Sequence, residues 1–497
     1  MTSSRASAAR ISFPLGVFLV ALVLRLIPVL LARNLGIGLD DMFQYDMLAR
    51  SLAAGNGFRW YASADLEMLK PYVDFDLSSV NYDPVRGVET SFRAPLYPAF
   101  LALIYFLVGS GANRFFAARL AQAFLGAALA PLTYLVGLHF SPLLAGDREA
   151  ERWSGVRAAK IAAWIVATYP ILLAYPLGLG TENPFFLLLL ASFFFLLQAS
   201  EKPSAFHFLF SGFFLGLTAL TRSVILPFAA LAILWTGFVL KQKRGALIAA
   251  LAFALTISPW IIRNSLLHHK LTGIETSMGY NLYLGYHPHG NGSFVFGPSL
   301  DLLTILDDAE RDQVGTQKAI EFIQAQPERF IPLAFNRLGF FFGLEKRVLM
   351  YFYSNNILGF IPLPFLLTLF LIMLLPFVIV CLSAALGISL LRWNPPTILL
   401  GLLFFAYITP HVFILAEDRF HLALIPFFAI LASLFWMSGW KSLAARWNES
   451  RVGKVLVALA VFAALLLLLN WGLELSRDAD KIIQLLGPNG NTSYFTY

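Results

Sequence analysis

A succession of apolar runs, each near the ~20 residues that a helix needs to cross a bilayer, limits most strongly what this chain can fold into. The runs lie near 13–33, 116–140, 158–180, 183–199, 205–221, 223–240, 245–265, 363–391, 397–415, 419–440 and 453–473. They predict an all-α polytopic membrane protein. The composition agrees, with 58% hydrophobic and 13% charged residues, where soluble domains carry roughly 25% charge. The net charge of +7 does not point to nucleic acid, because the basic residues sit in short loops between the runs. Cys381 is the single cysteine and lies inside a run, so no internal disulfide is available. No small-residue cleavage site follows the first run, which reads as a retained span rather than a cleaved signal peptide.

Charge orients the spans. Pro95–Gly109 is a short apolar stretch with Pro95 and Pro98 near its start and glycines at its end. If it does not cross, Arg5, Arg10, Arg148, Arg152, Arg157, Lys160, Lys202, Lys241, Lys243, Arg244, Arg392, Lys441, Arg446, Arg451 and Lys454 fall on the N-terminal side. That side is then cytoplasmic by the positive-inside rule. The expectation is eleven spans, or twelve if Pro95–Gly109 crosses, with the N-terminus inside. It divides the chain into a transmembrane module at 1–265 with an outer loop at 34–115, an outer loop region at 266–360, C-terminal spans at 361–473 and a short outer tail at 474–497.

The outer loops carry the residues with chemical potential. Asp40 and Asp41 follow the first span, and a helix over 41–54 would put Asp41 and Tyr45 one turn apart on one face. One aspartate suffices to cap that helix, which leaves the other free. Arg93 in "SFRAPLYPAF" precedes a proline-bracketed Tyr97 at the membrane surface, where an arginine either snorkels or holds a lipid phosphate. Glu182 in "GTENP", Arg222 in "LTRSV", Arg263 in "PWIIRN" and Arg419 in "EDRFH" all fall at outer helix ends. Arginines on the outer face run against the topology rule, which is the reason to expect anion binding there. Arg25 lies within the first span, and its role is open. The loop "GYNLYLGYHPHGNGSF" offers Tyr280, Asn281, Tyr283 and His287 for a sugar pocket. The spacing of its histidines, with His268 and His269, matches no tight zinc signature.

An acid with a tyrosine four residues on, then "RAPLYPAFLALIYFLVG", "TENP", "LTALTRS", "SPWIIRN" and "RFHLALIPF" occur in this order. The ordered set resembles the GT-C superfamily of membrane glycosyltransferases, in particular the branch with the lipid A aminoarabinose transferase and the protein O-mannosyltransferases. The resemblance implies a GT-C fold with outer-face juxtamembrane helices, Pro95–Gly109 among them. It places a catalytic acid at Asp41, with Asp40 as the alternative because Met42 stands where many relatives carry a second acid. It also places a phosphate-contacting residue at Arg93, an acid at Glu182 and a basic residue at Arg222. The implied reaction is inverting transfer of a sugar from a polyprenyl-phosphate donor to an acceptor hydroxyl at the outer face, with no cofactor required. A divalent ion remains open, as do the sugar and the acceptor. Two other readings stand beside it: a polyprenyl-lipid transporter or flippase, and an oligosaccharide ligase using a lipid-pyrophosphate donor. On the glycosyltransferase reading Asp41, Arg93, Glu182 and Arg222 converge on one cavity, with Arg263 or Arg419 assisting.

Overall fold

The computed structural model describes residues 2–140 and 149–493; Arg148, counted above for topology, and residues 494–497 of the tail lie outside them. The first part of the chain forms α1 (Thr2–Leu31), α2 (Asp41–Ala53), the short α3 (Ser63–Leu69), α4 (Leu96–Val108), α5 (Asn113–Phe140), α6 (Glu149–Thr168) and α7 (Pro170–Ala174). It continues with α8 (Glu182–Glu201), α9 (Ala205–Ala219), α10 (Leu226–Phe238) and α11 (Lys243–His268). The second long loop folds into α12 (Met278–Tyr286), α13 (Phe296–Asp301), α14 (Asp308–Ala325), α15 (Phe330–Phe341) and α16 (Arg347–Ser354). The chain ends in α17 (Leu363–Ile388), α18 (Pro395–Phe413), α19 (Ile425–Glu449), α20 (Arg451–Arg477) and α21 (Ala479–Leu486). One small antiparallel pair, β1 (Arg59–Trp60) with β2 (Val88–Glu89), closes the first loop.

Among the described residues, eight helices are long and apolar enough to cross a membrane, or nine if α6 and the segment Pro170–Leu177, bent by 51°, form one span. The shorter apolar helices α9 and Ser223–Phe238 fall on two further runs. Each of the eleven apolar runs is therefore helical, and the molecule is an all-α polytopic membrane protein. α4 has 13 residues, about 20 Å at 1.5 Å per residue, too short for a hydrocarbon core of ~30 Å. It buries Tyr97, Leu101 and Tyr105 and leaves Leu103, Phe106 and Leu107 exposed, as a helix does when one face lies on protein and the other on lipid. The segment expected as a tail is structured: α20 runs on to Arg477, and Asn491 donates to Asn356 at 2.8 Å.

α19 is the axis of the bundle, with 89% of its apolar window buried, against 17% for α20 at the edge. The central helices approach closely because small side chains line their contacts, the usual packing device where lipid supplies no hydrophobic drive between helices. Ala123, Ala127 and Ala130 of α5 and Ala158, Ala159, Ala162 and Ala163 of α6 are all buried. Gly212 lies so close to α11 that a Cβ would overlap the Ala249 carbonyl oxygen.

Arg25 acquires a structural role here. Pro170 has no N–H, so it cannot donate to the carbonyl four residues back, and the chain bends. Arg25, fully buried, fills the gap by donating to Val166 O and Ala167 O, each at 3.1 Å, and to Ala21 O within its own helix. Without it these carbonyls face an apolar interior at about 1–3 kcal/mol each. Arg25→Ala is therefore expected to lower the thermal unfolding midpoint in detergent by several degrees. An unchanged midpoint contradicts the role.

Candidate active site

The acid pair divides its work. Asp40 is the N-cap of α2 and accepts from Met42 N at 2.9 Å. Asp41, in the first helical turn, keeps both carboxylate oxygens for other partners. The approach to this turn is fixed by Arg119, fully buried, which donates to Leu35 O, Gly36 O and Leu177 O. The segment carrying Arg93 is pinned on both sides. Asp308 accepts from Thr90 Oγ1 and Ser91 N, Thr276 N donates to Ser91 O, and Leu96 N donates to Leu220 O. That last bond draws the Arg93 segment to the turn that carries Arg222. Glu182 occupies the first turn of α8. Its carboxylate folds back over Gly180, where a Cβ would stand 2.7 Å from Glu182 Oε2. Arg419 comes from the 3-10 helix Asp418–Leu424, which leads into α19.

These segments meet in one chain of ion pairs. Asp41 Oδ1 is paired with Arg93 Nη2, whose guanidinium also donates to Gln44 Oε1 from Nε at 2.9 Å. Asp41 Oδ2 lies 3.3 Å from Arg419 Nη2. Arg419 also reaches Glu182 Oε1 at 3.9 Å and Glu417 Oε2 at 2.7 Å. Glu182 Oε1 is paired with Arg222 Nη1 at 2.8 Å, and Glu417 Oε1 with Arg347 Nη1 at 2.8 Å. Aromatic faces hold the cations in place: Tyr45 and Phe92 flank Arg93 at 5.2 and 5.1 Å, and Phe185 and Phe420 flank Arg222 at 5.8 and 5.2 Å. The Asp41 side chain is 39% exposed and that of Arg419 35%, whereas Glu182 is 6% exposed. The network is buried at one end and open at the other.

Burial opposes the charge on Asp41, but the adjacent Arg93 and Arg419 guanidinium groups prevail and hold its carboxyl well below the usual carboxylate range. Desolvation and the neighbouring Asp41 charge push Asp40 the other way, upward. Glu417 is buried too, and Arg347 and Arg419 nevertheless bring it down to about 2. Asp41 is thus an ionised carboxylate with one arginine at each oxygen, and these contacts lower its affinity for a proton, so a task as proton acceptor is favoured when one of its arginines lets go.

The structure brings together Asp41, Asp40, Arg93, Glu182, Arg222 and Arg419, with Tyr45 beneath Arg93. Other candidates lie elsewhere. Arg263 is committed to the first loop: it donates to Thr90 O at 2.6 Å and packs on Phe58 and Trp260, so it braces the Arg93 segment instead of joining the network. Tyr97 is fully buried, donates to Gln122 Oε1 at 2.6 Å and packs edge-on against Tyr45, which removes it from any open pocket. Tyr280 packs edge-on against Phe92 and donates to Ser299 O, and Asn281 follows it on α12. Tyr283 donates to Asp301 and packs with His287 and Phe322 in a separate cluster against α14. Glu417 and Arg347 escaped the sequence reading, although Glu417 adjoins Arg419 in the same short motif. Among the described residues no three His, Cys, Asp or Glu side chains group as a metal site.

The family model described as dolichyl-phosphate-mannose-protein mannosyltransferase matches residues 148–262. No curated protein matches the chain in sequence. Among solved structures, the oligosaccharyltransferase AglB of Archaeoglobus fulgidus, in complex with an inhibitory peptide and a dolichol-phosphate, is 14% identical with a TM-score of 0.47, over 97% of this chain and 60% of its own. The chain thus spans about 60% of that structure's length. ArnT of Cupriavidus metallidurans bound to undecaprenyl phosphate is 13% identical with a TM-score of 0.37, over 88% of this chain and 79% of its own.

The buried end of the network predicts a stability effect. Removing one partner of a buried pair leaves the other charge uncompensated, at about 3–5 kcal/mol, whereas removing both costs much less. Arg222→Ala is expected to destabilise strongly, and the double variant Glu182→Ala/Arg222→Ala to recover much of the loss, as read from thermal unfolding in detergent. Additive losses contradict the pairing. The match over residues 148–262 bears out the resemblance drawn from the sequence, that of a GT-C superfamily membrane glycosyltransferase.

Proposed function

We propose that the protein is an inverting glycosyltransferase that moves a monosaccharide from a polyprenyl-phosphate donor to an acceptor hydroxyl. The observation that carries this is the convergence of Asp41, Arg93, Arg222 and Arg419, from four separate segments, in one half-open ion-pair network. The donor's tail stays in the bilayer, so its phosphate and anomeric carbon lie at headgroup level, where the first span ends. On this reading the site is on the outer face of an inner, cytoplasmic membrane, with the N-terminus inside.

Arg93, Arg222 and Arg419 receive the donor phosphate. Arg419 is the member that this reading has move, because its contacts to Asp41 and Glu182 are its longest, at 3.3 and 3.9 Å. As the phosphate draws Arg419, and in part Arg93, away from Asp41, a carboxylate oxygen becomes free to accept a proton. The acceptor hydroxyl gives its proton to Asp41 and its oxygen forms the new bond to the anomeric carbon. The bond from that carbon to the phosphate oxygen breaks on the opposite face, and the configuration inverts. The departing phosphate gains negative charge, which the arginines, already in place, stabilise. No cofactor enters these steps.

Purified protein in lipid, given a panel of polyprenyl-phosphate sugars with pyrophosphate-linked controls and with EDTA present or absent, tests the reading. Consumption of a monophosphate donor, insensitive to EDTA and lowered by at least about 10²-fold in Asp41→Asn, is the expected result. Turnover that survives in Asp41→Asn sinks the assignment of the base.

The release of Asp41 also predicts a pH signature. In the free protein the two arginines keep Asp41 ionised below the usual carboxylate range, so kcat/KM should show no loss from Asp41 as the pH falls toward that range. In the donor complex the lost guanidinium contacts let its pKa rise, so the acid limb of kcat should lie at higher pH than that of kcat/KM. Coincident limbs would mean that the arginines stay on Asp41.

A further inference from the structure

Next to this network lies a cavity of about 130 Å³ that the steps above do not use. Its lining includes Lys346, Arg347, Glu417, Asp418, Glu474 and Asp478, and Lys481 stands exposed at its rim. Two of its walls touch the site. Glu417 holds both Arg347 and Arg419, and Arg419 reaches Asp41. α16 supplies Arg347 and Met350 to the cavity, and Arg347 is paired with Glu417 at 2.8 Å. The cavity therefore adjoins the network at Glu417, whose partner Arg419 also reaches Asp41, whereas Arg93 and Arg222 meet the acids from the other loop segments.

Its chemistry is specific. Lys346 is held between Glu474 and Asp478, the latter at 3.0 Å, and Glu474 Oε2 also accepts from Leu344 N at 2.9 Å. The charges of the wall are thus largely paired and fixed. Asp418 is the exception: half-buried on the wall, its carboxylate makes no hydrogen bond or ion pair with any described residue. A wall with near-equal numbers of acids and bases repels neither a neutral nor a zwitterionic guest and gives no net attraction to a polyanion. Its fixed carboxylate and ammonium groups offer acceptors and donors side by side, as a ring of hydroxyls requires. At about 10–15 Å³ of such space per water, the cavity has room for several waters, and so for a small polar guest.

We propose that this cavity is the acceptor subsite, and that it takes one hydroxyl-rich sugar residue of a glycan or glycolipid, with Asp418 accepting from its hydroxyls. The proposal rests on Asp41 being the base, because the cavity wall is joined to Asp41 through Glu417 and Arg419, so the withdrawal of Arg419 toward the phosphate would open the way between the cavity and Asp41.

The test is saturation-transfer NMR on the full chain in lipid nanodiscs, with methyl glycosides of mannose, glucose, galactose, glucosamine and N-acetylglucosamine as probes at millimolar concentration. At least one glycoside should bind, with affinity about 10-fold weaker in Asp418→Asn and several-fold weaker in Lys481→Gln, which lies on the exposed rim and leaves the packing intact. Binding should persist in Asp41→Asn. No binding by any glycoside, or binding indifferent to both cavity variants, overturns the subsite. Glycoside binding without turnover of any donor contradicts the transferase reading alone, and turnover without glycoside binding contradicts the subsite alone.

Discussion

Arg419 stands between three carboxylates that come from distant parts of the chain, and the rest of the site depends on that one side chain. Asp41 arrives after the first span, Glu182 at the start of a central span, and Glu417 beside Arg419 itself. At a membrane margin such charges are tolerable only when each has a counter-charge in reach. The network meets this condition with guanidinium groups, whose planar fork serves several oxygens at once. It also leaves the contacts of Arg419 to Asp41 and Glu182 longer than the rest, at 3.3 and 3.9 Å. On the proposed function, the donor phosphate competes for Arg419 through these contacts.

The scaffold is arranged to make that competition local. The arginines that hold backbone, Arg25 at the Pro170 bend, Arg119 at the entry to α2 and Arg263 under the Thr90 segment, are committed to carbonyl oxygens. They tie loop and bend backbone in place, apart from the arginines that pair with carboxylates in the network. Asp308 does the same from the second loop by gripping Thr90 and Ser91. Functional groups on irregular backbone are therefore positioned by a hydrogen-bonded frame, which is how loops at a membrane surface attain fixed geometry.

The apolar runs were legible because transfer into lipid demands them, and each run is helical, although eight helices among the described residues, or nine with the bent pair, are long and apolar enough to cross, against the eleven spans expected. The short helix α4 was legible from its length and its prolines. Asp41, Glu182, Arg222 and Arg419 stood out because charges at helix ends beside apolar runs need a reason. Less legible was anything fixed by the fold of the long loops. Arg263 shares its placement at a helix end with Arg419, and only the path of the first loop turns it toward Thr90 O instead of a carboxylate. Tyr97 reads as an interfacial tyrosine, yet the close approach of α4 to α2 and α5 buries it on Gln122. Glu417 and Arg347 lie 70 positions apart, and no periodicity links them. The division between Asp40 and Asp41 likewise needed backbone geometry, since either aspartate can cap a helix.

The central claim is that the Arg93–Arg222–Arg419 group receives a lipid phosphate and in doing so frees Asp41. A cryo-electron microscopy structure of the protein in nanodiscs with undecaprenyl phosphate tests it most directly. The account predicts phosphate density within hydrogen-bonding distance of at least two of these guanidinium groups, with Arg419 withdrawn from Asp41. Phosphate density elsewhere, or at the network with the Asp41–Arg419 contact unchanged, would contradict it.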